Sequence, residues 1–144
     1  MYRYDHGRAV APMLFLAVAL SFSLVGACGG DGSGPAGAVD LTGDWVGTIQ
    51  SSQVPAGTEV NLTLSQTGGT VTGTYLLPFS GMFGDVAGTV TGSSVTFTLT
   101  QKNVSCPGSF SGSGTVTGNS MTFTYSGSDC WGIHADGQGS ATRQ

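Results

Sequence analysis

The residues best equipped for chemistry in this 144-residue chain sit near its C-terminus, in "SDCWGIHADG" (Ser128–Gly137). Asp129, Cys130, His134 and Asp136 fall within a few residues of one another. A thiolate, an imidazole and two carboxylates are the ligand types of a transition-metal site. His134 is also the one available general base, since His6 lies in the N-terminal leader, and a base beside a hydroxyl is the core of nucleophilic catalysis. Neither chemistry is well specified. If Cys130 is consumed in a disulfide, one His and two carboxylates remain. Serines and threonines are so plentiful that a hydroxyl near His134 carries little information. Glu59 is the only glutamate, and Asp44, Asp85, Asp129 and Asp136 are scattered, so no carboxylate pair suggests glycoside hydrolysis. The glycines contain no GxxxxGK[ST] phosphate loop. The expectation is a protein with no metal, no cofactor and no catalytic residues.

These residues must be carried by strands. The chain is only 8% charged, contains 25 glycines and has a net charge of -4. Only Lys102 and Arg143 are basic beyond Cys28, so the clustered cations that nucleic acid or an anionic membrane surface would require are missing. From Asp40 onward the apolar period is two: "VNLTLSQ" (Val60–Gln66), "VTFTLT" (Val95–Thr100) and "MTFTYS" (Met121–Ser126) alternate apolar with Thr, Ser or Asn. That alternation predicts half-buried antiparallel strands. "TGGT", "TGSS" and "TGNS", beginning at Thr67, Thr91 and Thr117, predict two-residue primed hairpin turns. Such turns fix the register. Val90 should face Val95, Gly88 Phe97 and Val86 Leu99. Val116 should face Met121, Gly114 Phe123 and Gly112 Tyr125. Leu64 should face Gly73, and Leu62 Tyr75. Glycine opposite an aromatic ring recurs across these pairs. The pentapeptide "GTVTG", present at Gly69, Gly88 and Gly114, is explained by the same hairpins rather than by a ligand.

About eight strands are expected, at 43–50, 58–66, 70–77, 84–91, 94–101, 109–117, 120–127 and 132–142. In an up-and-down meander the tight turns share one end. The long loops Ser51–Gly57, Pro78–Gly84, Asn103–Ser109 and Gly127–Gly132 share the other. Eight strands close into a barrel whose interior just accommodates side chains. Cys106 and Cys130 fall in loops at the same end and are expected to form a disulfide, worth about 3–4 kcal/mol in the chain-entropy model. Alternation through the last strand places His134 and Asp136 on the outer face, with Ile133 and Ala135 inward. Trp45, Ile49, Leu62, Leu64, Tyr75, Leu77, Phe97, Leu99, Phe110, Phe123 and Tyr125 supply enough bulk to fill the interior, so a deep pocket is not expected.

The first 40 residues read differently. Arg3 and Arg8 precede an apolar run, Met13–Ala27, too short and too quickly followed by glycine for a comfortable membrane span. It ends in "LVGAC", which resembles the lipobox of bacterial lipoproteins. That resemblance implies cleavage before Cys28, diacylglycerol on its thiol and an acyl chain on its new amine, enough for stable anchoring. Gly29 in place of Asp after the cysteine favours the outer membrane. "GGDGSGPAGAV" (Gly29–Val39) reads as a flexible tether reaching about 20 Å. The organisation expected is a leader over 1–27, a lipidated cysteine and tether over 28–40, and a barrel domain over 41–144.

"LTGDW" (Leu41–Trp45) and Arg143 carry a second resemblance. Lipocalins, and more loosely avidins, open their first strand with Gly-x-Trp and lay a basic residue of the last strand across the tryptophan. The chain resembles them over roughly 41–144, which implies a lipocalin-like all-β barrel closed at one end by Arg143 over Trp45 in a cation–π contact. The resemblance supplies no ligand. At the other end Phe79, Met82, Phe83 and Trp131 form a candidate binding rim. Either they hold a small apolar ligand or a protein partner, or they plug the open end of the core. The functional expectation is a lipid-anchored envelope protein that binds without catalysis. Its rivals are an inhibitor of an exported enzyme and a structural surface lipoprotein.

Overall fold

The computed structural model describes residues 37–144. The leader and Cys28 lie outside the described residues. Eight strands follow in order: β1 (Gly43–Gln50), β2 (Thr58–Thr67), β3 (Thr70–Leu77), β4 (Met82–Thr91), β5 (Ser94–Gln101), β6 (Gly108–Thr117), β7 (Ser120–Asp129) and β8 (Gly132–Arg143). Each pairs antiparallel with its sequence neighbour, and β8 returns to β1, so the sheet is a closed barrel. No edge remains to template pairing with another chain.

The hairpin registers follow from turn chemistry. Gly68, Gly92 and Gly118 have φ of 61°, 59° and 60°, the left-handed conformation a primed turn requires. The resulting pairs are those expected: Gly88↔Phe97 and Val86↔Leu99 in β4–β5, Gly112↔Tyr125 and Gly114↔Phe123 in β6–β7, Leu62↔Tyr75 and Leu64↔Gly73 in β2–β3. Apolar side chains point inward, and Thr and Ser cover the outside.

Two connections at the far end are shorter than expected. β4 begins at Met82, leaving only Pro78–Gly81 between it and β3. β7 runs to Asp129 and β8 starts at Gly132, so Cys130 and Trp131 alone make that turn. The long loops at this end, hereafter the mouth, are therefore Ser51–Gly57 and Lys102–Pro107.

The larger departure is in β8. Tyr125 pairs with Gly137, but Gly127 pairs with His134, so β8 carries one extra residue opposite Ser126. This bulge reverses the phase of alternation. Gly137 and Ala141 face inward on one side of it, and His134 faces inward on the other. His134 is 2% exposed and Ile133 is 71% exposed, the opposite of the simple alternation.

The barrel's other end is sealed from its own sequence. Leu41 and Trp45 are fully buried, and the Trp45 indole N–H donates to the Leu41 carbonyl at 2.9 Å. Gln66 holds the incoming chain by accepting from Leu41 N–H and donating to the Val39 carbonyl. Arg143 pairs with Trp45 across the β1–β8 seam, its guanidinium carbon lies 5.0 Å from the indole centroid, and it donates to the Asp40 carbonyl.

Packing inside is set by rings laid over glycines. A Cβ at Gly112 would collide with the Thr124 carbonyl and stand 2.5 Å from the Phe97 ring. Gly112→Ala should therefore destabilise the barrel by about 2–3 kcal/mol through overpacking. Ser113→Ala, one residue on and facing out, should stay within about 0.5 kcal/mol of wild type. Chemical denaturation midpoints check this, and equal midpoints for the two variants would contradict the packing.

Candidate functional site

The mouth combines an apolar interior with a layer of buried polar groups. β3, β5 and β7 bring Tyr75, Gln101 and Tyr125 to this end on the inner face. The Tyr75 hydroxyl donates to Gln101 Oε1 at 3.2 Å, and Gln101 Nε2 donates to the Cys106 carbonyl at 2.5 Å. The Tyr125 hydroxyl donates to the Gln50 carbonyl at 3.3 Å. Gln101 is 6% exposed, so its side chain and the Lys102–Pro107 loop are held together in a dry environment.

A second chain of bonds runs through His134. Its Nδ1 lies 2.9 Å from Ser51 Oγ, and its Nε2 lies 3.2 Å from Asp129 Oδ1. The His134 and Asp129 side chains are 2% and 3% exposed. Phe110 packs edge-on against the imidazole, centroids 5.2 Å apart. Ser51 Oγ also accepts from Gln53 N–H at 3.2 Å and Val54 N–H at 3.1 Å. Both loop amides donate to Ser51 Oγ, so the hydroxyl proton is the group left to meet Nδ1.

Serine, histidine and aspartate thus stand in the order of a hydrolase relay. A nucleophile needs a lone pair free to meet the substrate. Ser51 commits its lone pairs to two loop amides. The arrangement instead latches Ser51–Gly57 over the mouth. Ser51 and Val54 exchange backbone hydrogen bonds of 2.9 and 3.3 Å, and Val54 turns inward to 7% exposure. Outside the latch, Asp136 accepts from Ser52 N–H at 2.9 Å. That bond, with the Ser52 hydroxyl, holds the Asp136 carboxyl below the ordinary value of 3.8.

Burial pushes the Tyr75 phenol up to about 12, with the negative charge of Asp129 adding to the effect. Burial also raises Tyr125, with Ser51 opposing the shift and the charges of Asp136 and Asp129 adding to it. Beneath this layer lies a cavity of about 80 Å³. Its wall runs from Leu41 through Leu62, Tyr75 and Phe97 to Asp129, Trp131 and His134.

The residues singled out in the sequence are distributed as follows. Cys106 and Cys130 are joined in a disulfide, Cα atoms 5.0 Å apart, which ties the Lys102–Pro107 loop to the β7–β8 turn. Phe79 is 96% exposed, and Phe83 and Trp131 are each 47% exposed. Met82 does not join them: it is 7% exposed, part of the core, because β4 starts two residues earlier than expected. Val104, which the sequence did not single out, is 98% exposed in the β5–β6 loop. Ser51, Val54 and Gln101 were equally unmarked. Nothing local distinguishes them, since their partners are 26 to 83 residues away or lie within a loop of ordinary composition. Among the described residues no group of three or more His, Cys, Asp or Glu could hold a metal ion.

No protein-family model, curated protein or solved structure matches this chain.

Removing the latch hydroxyl leaves His134 Nδ1 buried without a donor, so Ser51→Ala should cost about 1–3 kcal/mol. Amide exchange at Gln53 and Val54 should accelerate with it, and unchanged exchange would show that the loop does not depend on Ser51. The Ser52 amide reports on Asp136. The bond to an ionised, depressed carboxylate contributes above pH 3.8 and is lost as pH falls through the lower folded value. Its NMR shift should titrate with a midpoint below 3.8, and a midpoint at or above 3.8 would mean that no such bond forms in solution.

Proposed function

We propose that this protein is a lipid-anchored component of a bacterial cell envelope that binds a small apolar ligand at the barrel mouth, without catalysis. One observation carries the binding reading: Trp131 is half exposed at the rim and also lines the interior cavity. A side chain with one face in solvent and the other on an apolar cavity joins surface to interior. Phe79 and Val104 are almost fully exposed in two other connections at this end, whereas Phe83, between inward-facing Met82 and Gly84, faces outward from β4. Binding pockets combine an apolar lining with a few placed polar groups, and the Tyr75, Gln101 and His134 layer supplies those.

The envelope reading rests on other residues. The lipobox-like "LVGAC" implies lipidation at Cys28, and the Gly29–Val39 tether separates the anchor from the domain. A disulfide accords with an oxidising compartment. The incoming chain enters beside Gly92, since Val39 N–H donates to its carbonyl, so the tether leaves from the end opposite the mouth. The lipocalin-like reading draws on Gly43, Trp45 and Arg143, which meet at that closed end. It accounts for the sealed base and leaves the open end for the ligand.

Native mass spectrometry of protein taken from its own envelope fraction should show a non-covalent apolar adduct. Trp131→Ala should lose the adduct while keeping a cooperative thermal transition. Loss of the fold instead would make Trp131 a plug and favour a purely structural surface protein. Cys28→Ser should move the protein from the membrane to the soluble fraction, and unchanged membrane association would refute the anchor.

A further inference from the structure

The charges of the barrel are unevenly matched. Among the described residues the only Lys or Arg are Lys102 and Arg143. Lys102 is taken by Asp85 at 2.7 Å on the outer wall, and Arg143 is spent over Trp45 at the closed end. Asp129, Asp136 and Glu59, all at the mouth end, have no Lys or Arg partner among the described residues. Asp129 is the unusual one. Its side chain is 3% exposed, yet it lines the apolar cavity. A carboxylate withdrawn from water needs compensating donors. Oδ1 accepts both from Trp131 N–H at 2.8 Å and from His134 Nε2. That leaves Oδ2 for a further donor.

We propose that the mouth selects a small hydrophobic amine: a protonated nitrogen at Asp129, with a short apolar tail in the cavity beneath. This rests on the binding reading above and specifies its ligand class. Three features converge on it. A buried carboxylate in a water-poor, apolar setting attracts a cation far more strongly than one in bulk solvent. Burial raises the Tyr75 and Tyr125 phenols, and the same negative charge adds to both shifts. Trp131, whose backbone N–H meets the carboxylate, also lines the cavity, and an aromatic lining favours cations over neutral groups. An apolar cavity of about 150 Å³ admits benzene, so the 80 Å³ here accommodates a tail of about three heavy atoms. An anion is disfavoured by Asp129 and Asp136 together, and a larger hydrophobe by the volume.

The test compares n-butylammonium, n-butanol and n-butyrate, three four-carbon probes of different head charge, each with three carbons beyond the one at the head. NMR titration of the mature domain follows the Trp131 indole and the methyl groups of Leu62 and Val54. Butylammonium should bind at least about tenfold more tightly than butanol, the scale of one charge contact at a partly buried site, and butyrate should bind most weakly. Asp129→Asn keeps the size of the side chain and an oxygen to accept from Trp131 N–H and His134. It should bring butylammonium down to the affinity of butanol while leaving butanol within about twofold. Equal binding of butylammonium and butanol by the wild type would overturn the amine assignment and leave the apolar site standing. So would a cation preference that survives in Asp129→Asn. Absence of any binding would overturn both readings. Should Asp129→Asn not fold, the wild-type series decides alone.

Discussion

Five rings inside this barrel, Tyr75, Phe97, Phe110, Phe123 and Tyr125, lie over bare stretches of backbone, and the rest of the architecture depends on that fit. Eight strands enclose little more than the volume of their own side chains. A Cβ added at Gly137 would stand 2.5 Å from the Tyr125 ring, at Gly139 2.5 Å from Phe123, and at Gly127 2.7 Å from Phe110. The rings can enter only because the residues beside them have no side chain. Phe97 and Phe123 then meet edge to face at 5.9 Å, and Phe110 and Tyr125 at 6.1 Å. The high glycine content is the counterpart of the aromatic content, and both follow from the radius of a small closed sheet. Closure in turn removes the sheet edges, which lets a chain with so few charges avoid edge-to-edge pairing.

The two ends of the barrel answer different demands. At the closed end the polar groups of the incoming chain are matched locally: Trp45 to the Leu41 carbonyl, Gln66 to Val39 and Leu41, and Arg143 to Asp40. The seal holds together residues from both termini of the domain. At the mouth the polar groups are buried just as deeply, but they bind loops rather than strands. Gln101 holds the Cys106 carbonyl, His134 holds Ser51, and Asp129 holds the Cys130–Trp131 turn. The Cys106–Cys130 bond joins two of these segments covalently. A mouth so organised keeps a carboxylate, an imidazole and two phenols in fixed positions above an apolar cavity.

Most of the fold was legible in the chain because it is written in short-range signals. A two-residue turn reads the register of its own hairpin, and period-two alternation reads the buried face, so pairs such as Gly88↔Phe97 and Gly114↔Phe123 follow from neighbours alone. The site was far less legible. His134 was expected outside and Ile133 inside, by plain alternation through the last strand. One extra residue in β8 opposite Ser126 inverted that assignment. Met82 was expected at the rim and lies in the core for a related reason: β4 extends past the glycine taken as its boundary.

By itself the sequence determined an all-β meander of eight strands, its hairpin registers, the cysteine pair and the distinction between a tight-turn end and a loop end. It could do so because hairpin turns and strand alternation act between residues close along the chain. Only the tertiary structure decided that Ser51, Asp129 and His134 form one buried chain, that Val54 turns in beneath the loop and that a half-exposed Trp131 borders an interior cavity. Those facts depend on a bulge whose position no local pattern marks, and on barrel closure, which brings β1 and its loop beside β8 across almost the whole length of the domain.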